Sequence, residues 1–103
     1  MLTSIPDELF DPLINLTDIS NMFCTCLLIE HIPEKLFANC PHIRKVDYML
    51  SDTSLCKIPD NLFEGLDELE SAECAFYNTW LKKIPKGLFA NKRKLTNLKK
   101  CFE

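Results

Sequence analysis

Ile32-Pro33-Glu34-Lys35-Leu36-Phe37 is one of four copies of a single phrase: Ile-Pro, two variable residues, then Leu-Phe. The others are Ile5-Pro6-Asp7-Glu8-Leu9-Phe10, Ile58-Pro59-Asp60-Asn61-Leu62-Phe63 and Ile84-Pro85-Lys86-Gly87-Leu88-Phe89. Successive copies are 27, 26 and 26 residues apart. A constant period of this size marks a solenoid, in which each copy is one coil that buries its apolar face only against its neighbours. The chain of 103 residues therefore reads as a single solenoid domain over 1–103, with coils starting near 2, 29, 55 and 81.

Counting from the Ile of each phrase, four further columns are apolar in every copy. Offset −3 holds Leu2, Ile29, Leu55 and Leu81, and offset +11 holds Leu16, Ile43, Leu69 and Leu95. Offset +14 holds Ile19, Val46, Ala72 and Leu98, and offset +18 holds Phe23, Leu50, Phe76 and Phe102. These columns are expected to stack into the core. Proline suits the first helical position, where its missing N–H has no partner to lose. Asp7-Glu8, Glu34 and Asp60 add acids that favour a helix start. A short helix is therefore predicted after each Ile-Pro, stopped within about two turns by Pro12, Asn39-Cys40-Pro41, Gly65 and Asn91. Residues 16–19, 43–48, 69–72 and 95–98 read as short strands, stacked in parallel about 4.8 Å apart. The expected fold class is an α/β solenoid.

The pattern L-x-x-I-P-x-x-L-F-x-x-C-x-x-I-x-x-V, as it runs from Ile29 to Val46, resembles the BspA-like class of leucine-rich repeats, and so does Leu36-Phe37-Ala38-Asn39-Cys40-Pro41. The resemblance covers nearly all of the chain. It implies a leucine-rich-repeat-like fold and a non-catalytic role as a protein-binding or adhesion surface, of the kind found on bacteria, their phages and some parasitic protists.

Charge is divided along the chain. From Trp80 onward there are eight cations and one acid, Glu103; the rest holds four cations and fourteen acids. A basic end and an acidic body suit an oppositely charged partner, nucleic acid included. Aromatics are not interleaved with the basic residues, which argues against single-strand binding. Aligning the third and fourth coils gives a structural reason for the split. Asp60 falls opposite Lys86, Asp67 opposite Arg93, Glu68 opposite Lys94 and Glu73 opposite Lys99. Stacking is expected to bring these pairs together.

The six cysteines are Cys24, Cys26, Cys40, Cys56, Cys74 and Cys101. The residues after Met1 enter the first repeat with no basic or long apolar run, so no signal peptide is predicted. The cysteines are accordingly expected to be reduced thiols in or near the core. No stretch approaches the ~20 apolar residues of a membrane span.

Cys24-x-Cys26, His31 and Cys40-x-His42 place five soft or imidazole ligands within 19 residues, the donor set zinc favours. C-x-C is tighter than the usual zinc spacing, and Cys26 and Cys40 already fall in repeat columns, so no metal or other cofactor is assigned. A catalytic thiol paired with His31 or His42 would need an orienting carboxylate. No nucleophile elbow, phosphate loop or zinc-protease motif is present. The sequence reads as that of a non-enzyme.

Alternation around Ile19, Val46, Ala72 and Leu98 predicts an outward face of Asp18, Ser20, Lys45, Asp47, Ser71, Glu73, Asn97 and Lys99. This is the expected partner-binding surface, and charge reversal at Asp47 and Glu73 is expected to weaken binding without unfolding the chain. Tyr77 and Trp80 lie outside the core columns and are candidate anchors. Tyr48 is expected to point inward. Two settings are compatible with this reading. One is a cytoplasmic inhibitor, of phage type, that blocks a host protein complex. The other is an extracellular adhesin or receptor-binding fragment of a longer repeat protein. Neither end carries a recognisable polar cap, so the chain is expected either to be cut from a longer array or to have its ends covered by dimerisation or by a partner.

Overall fold

Hydrogen bonding preserves the repeat register throughout. The computed structural model describes residues 4–102, and every backbone hydrogen bond between coils joins residues 25 to 28 apart. The body measures 30 × 29 × 21 Å. Its short dimension suits four layers spaced about 4.8 Å apart. Leu2, the first member of the −3 column, lies outside the described residues.

The expected helices do not form: among the described residues there is none. After each Ile-Pro the chain closes a succession of tight turns instead. In the first coil Leu9 N–H donates to Pro6 O (3.3 Å), Asp11 N–H to Glu8 O (3.2 Å) and Leu13 N–H to Phe10 O (2.9 Å). The third coil repeats this from Pro59. These bonds span three residues, whereas an α-helix needs bonds spanning four. The turning segment is too short to recover the cost of helix nucleation. Residues in the left-handed region then redirect it: Lys35 (φ 58°), Gly65 (φ 84°) and Asn91 (φ 60°). A Cβ at Gly65 would meet nothing within 4 Å, so glycine serves there for its backbone freedom rather than for space.

The expected strands shrink to isolated parallel bridges, Asp18–Lys45–Ser71–Asn97 in one column and His31–Lys57 in another. Each bridge in the first column leads into a ribbon of turns. Ile19, Asn21, Phe23 and Thr25 donate N–H to the carbonyls of Lys45, Asp47, Met49 and Ser51 at 2.9–3.1 Å, while the N–H groups between them close local turns. Val46, Tyr48, Leu50 and Asp52 donate likewise to the third coil, and Ala72, Cys74 and Phe76 to the fourth. In this ribbon the earlier coil always donates to the later one. The alternation is set by residues at positive φ: Asn21 and Thr25, Tyr48 and Asp52, Cys74 and Asn78, and Lys100. Neighbouring residues can therefore both point inward, as Met49 with Leu50 and Ala75 with Phe76 do. A strand, whose side chains alternate, cannot do this.

This geometry corrects the reading of Tyr48. At φ 56° it is turned out of the core and is 37% exposed.

Most expected columns are buried: Ile29 and Leu55; Ile43 and Leu69; Ile19, Val46 and Ala72; Phe23, Leu50 and Phe76. Two further columns complete the core, the one of Cys40 read from the sequence and the one of Met49 not anticipated. Cys40 and Leu66 at offset +8, and Met49, Ala75 and Cys101 at offset +17, are also buried, whereas Leu13 and Met22, their counterparts in the first coil, are exposed. On the fourth coil Leu98 is exposed, contrary to expectation, and Leu81, Leu95 and Phe102 are only partly buried. The Phe of each phrase forms an axial spine. Ring centroids are 5.5 Å apart for Phe10–Phe37, 6.3 Å for Phe37–Phe63 and 5.7 Å for Phe63–Phe89.

The extra residue of the first step is localised. Thr25 and Asp52 correspond at a spacing of 27, but Glu30 and Cys56 are hydrogen-bonded at a spacing of 26. The surplus falls at Leu27-Leu28, both left about half exposed.

Candidate interaction face

The bridged column Asp18–Lys45–Ser71–Asn97 brings one residue of each coil onto one surface. Ser20, Asp47, Glu73 and Lys99 stand two positions on. Asp18, Lys45 and Lys99 are exposed; Ser20, Asp47, Glu73 and Asn97 are half-buried. Ser71 departs from expectation and is buried.

A network of hydrogen bonds explains the burial. Asp47 Oδ1 accepts both the Ser71 hydroxyl (2.5 Å) and the Glu73 N–H (2.9 Å). Glu73 Oε1 accepts Asn97 Nδ2 at 2.9 Å, and Asn97 Oδ1 accepts the Lys99 N–H at 3.1 Å. In the first coil Asp18 Oδ1 accepts the Ser20 N–H at 2.9 Å. Hydrogen bonding from the Ser20 side chain, then from its amide, with help from the Lys45 charge, holds the Asp18 carboxyl below its usual value. Asp47 and Glu73 thus belong to the scaffold as well as to the surface. Reversing their charge would remove inter-coil bonds, so that pair is the wrong choice for a change confined to the surface. Lys45 and Lys99 are the freer side chains.

The expected charge pairs do not close. Among the described residues the ion pairs are His42 Nδ1 with Glu68 Oε2 at 2.6 Å and Arg44 Nε with Glu70 Oε2 at 4.0 Å. Glu73 is occupied by Asn97 rather than Lys99. Glu68 is taken by His42 of the preceding coil, and that hydrogen bond, aided by the Lys94 and Arg44 charges, lowers its carboxyl. Asp67, Arg93 and Lys94 line an open hollow together with Asn91. Solvated side chains on opposing coils gain too little from pairing to fix one geometry.

The candidate zinc ligands do not converge. Among the described residues no three His, Cys, Asp or Glu come together as a metal site. Cys40 is buried and donates its thiol to Phe10 O (3.3 Å) and Leu13 O (3.4 Å). Cys24 lies 3.2 Å from the Ser51 hydroxyl. All six cysteines are free thiols; Cys40, Cys74 and Cys101 are buried, and Cys56 is exposed. Burial pushes the Cys101 thiol up to about 11.

Tyr77 is 37% exposed and Trp80 is 70% exposed, the most exposed large apolar side chain of the described residues. Neither belongs to the bridged column. No helix among the described residues is long and apolar enough to cross a membrane.

No protein-family model matches the sequence, and no curated protein matches it. Among solved structures the chain is similar to the crystal structure of the APL1 leucine-rich repeat domain, with a TM-score of 0.70 and 22% identity. The match covers 93% of this chain and 24% of that one, so the chain spans about a quarter of the length of the structure it resembles. The fold is leucine-rich-repeat-like, built among the described residues from turns and single bridges rather than helices and strands.

Proposed function

We propose that this chain is a non-catalytic protein-binding module, acting as one domain over residues 1–103, and that its repeats are of the BspA-like class. One observation carries the reading. The bridged column presents Asp18 and Lys45, with Lys99 two positions beyond it, on a polar surface whose neighbours are fixed by inter-coil hydrogen bonds. A surface ordered before binding loses less entropy on association. The setting that agrees best with six free thiols is intracellular, where thiols stay reduced. A small inhibitor of a host protein complex, of phage type, belongs to that setting; an adhesin or receptor-binding fragment belongs to the extracellular one. Pairing of two copies through the end coils completes the proposal.

The test compares partner capture by the chain and by a Lys45→Glu/Lys99→Glu variant whose unfolding transition is unchanged. Loss of specifically captured proteins in the variant supports the bridged column as the binding face. Identical capture at identical strength rejects it.

A further inference from the structure

The third and fourth coils separate along the Ile-Pro side. Between the second and third coils this side is paired, with a hollow of only about 120 Å³: Cys56 N–H donates to Glu30 O at 3.0 Å, and His31 bridges Lys57. Between the third and fourth, Trp80 N–H donates to Leu55 O at 2.9 Å, and there the pairing stops. The register would next join the Lys82 N–H to the Cys56 carbonyl and Lys57 to Lys83, yet neither pairing forms. Ile84 is exposed here, as Leu98 of the same coil is. Its counterparts Ile5, Ile32 and Ile58 are 4%, 7% and 4% exposed, whereas Ile84 is 50% exposed.

Charge opposes pairing here. Lys57 and Lys83 are 26 residues apart and would lie directly opposite each other. Like charges so placed destabilise strand pairing, and Lys82 adds a third ammonium. A cleft of about 390 Å³ lies here, with Ile58, Ile84 and Pro85 as its apolar lining and the three lysines on its walls; Asp60 is its one acid. A second hollow of about 360 Å³ shares Cys56 and Lys82 with it and extends to Trp80, with Glu30 at its edge. The surrounding segment, residues 80–102, holds eight cations and no acid.

We propose that this cleft binds an extended acidic segment of a protein partner. Its carboxylates neutralise Lys57, Lys82 and Lys83, and a bulky apolar side chain covers Ile84 and packs against Trp80. Three features favour this occupant. The cationic excess selects acidic chains and steers them inward. The exposed Trp beside an apolar floor is the composition of an interface anchor. The interrupted ladder offers the Cys56 carbonyl and the Lys82 N–H to a segment that pairs through its own backbone. An acid between Lys57 and Lys83 also turns the repulsion between them into attraction. The proposal deepens the protein-binding reading and rests on it, but uses a surface separate from the bridged column.

Trp80 is the only tryptophan in the chain, so its fluorescence reports the cleft directly. The probe is an eight-residue synthetic peptide alternating glutamate with leucine or phenylalanine. Controls replace glutamate by lysine, or the apolar residues by alanine. The expected result is a saturable blue shift of Trp80 emission with the acidic apolar peptide. Cys56 should be protected from alkylation at the same time, and both controls should bind at least tenfold more weakly. Lys82→Glu/Lys83→Glu should weaken binding at least tenfold, and Lys45→Glu should leave it unchanged. Absence of saturable binding, or equal affinity in the double lysine variant, overturns the proposal. Tighter binding of a single-stranded oligonucleotide with the same Trp80 response overturns it in favour of nucleic acid. If Lys45→Glu/Lys99→Glu abolishes partner capture while the peptide fails to bind, the cleft falls and the binding module stands. If partner capture is insensitive to both lysine pairs, both readings fall.

Discussion

Asp47 Oδ1 accepts the hydroxyl of Ser71, 24 residues further along the chain, at 2.5 Å. The same oxygen takes the Glu73 N–H, so one carboxylate ties the second coil to the third at two points. Hydrogen bonds to charged groups contribute about 1.5–3 kcal/mol each. Asp47→Ala is expected to destabilise the fold by roughly 2–3 kcal/mol, and Ser71→Ala by less, because the Glu73 amide retains its acceptor. Urea unfolding measures both; a midpoint for Asp47→Ala equal to that of the parent chain contradicts the double tie.

Thr25 sits at φ 61°, where Asp52 and Asn78 stand in the later coils. A β-branched residue in the left-handed region carries strain of about 1–2 kcal/mol, which Asn tolerates far better. Thr25→Asn is therefore expected to stabilise the chain by about 0.5–1 kcal/mol. That corresponds to a rise in melting temperature of roughly 2–8 °C for a domain of this size. A lowered melting temperature would show that the Thr25 side chain has another role.

Phe63 lies at the centre of the aromatic spine, with ring centroids of Phe37, Phe76 and Phe89 at 6.3, 6.2 and 5.7 Å. Phe63→Ala removes all three contacts and leaves a cavity enclosed on both sides, at an expected cost of about 3–5 kcal/mol. Phe89→Ala should cost less, since Phe89 is only partly buried. Equal losses at the two positions, read by calorimetry, would argue against a spine that supports the middle of the stack more than its end.

Glu68 titrates in the folded chain below its ordinary 4.5, chiefly because of the hydrogen bond to His42. A lowered carboxyl stabilises the fold above the unfolded pKa, and that contribution is lost as pH falls through the folded value. The stability difference between the parent chain and Glu68→Gln should be present at neutral pH and vanish below the folded pKa. Denaturant titrations across that range check the sign, and a difference that grows on acidification reverses it.

Repeat period, register and most of the core were legible because they depend on side-chain chemistry sampled four times. Local conformation was not. Ile-Pro followed by acids is a sound helix start, but Lys35, Gly65 and Asn91 turn the chain before a helix can propagate. Tyr48 was misplaced because alternation around Val46 assumes extended backbone, and nothing in Val46-Asp47-Tyr48 announces a positive φ at a tyrosine. The column Met22, Met49, Ala75 and Cys101 is apolar in every copy and could have been found; it was hidden beside the more prominent Phe column at the next position. The bridged face was legible in outline, since Asp18, Lys45, Ser71 and Asn97 do share one column. Which of its members are exposed depends on polar side chains bonding one another, and that choice requires distances. The same is true of Glu68, which His42 claims ahead of Lys94.

The direction of the turn ribbon has a consequence for the two ends of the stack. Its N–H groups point from earlier coil to later and its carbonyls point back, while at the bridged column and on the Ile-Pro side the later coil donates instead, as Arg44 does to Thr17 and Cys56 to Glu30. At the tip, Leu98, Lys100 and Phe102 present amide hydrogens with no partner among the described residues; at the tail, Asp18, Ser20 and Met22 present unmatched carbonyl oxygens. The lysines of the fourth coil and the acids Asp7, Glu8, Asp11 and Asp18 of the first follow the same sense. Along the turn ribbon, whatever backbone meets the Leu98–Phe102 edge is therefore met by amide donors and by cations, and pairs with it through carbonyl oxygens and acids.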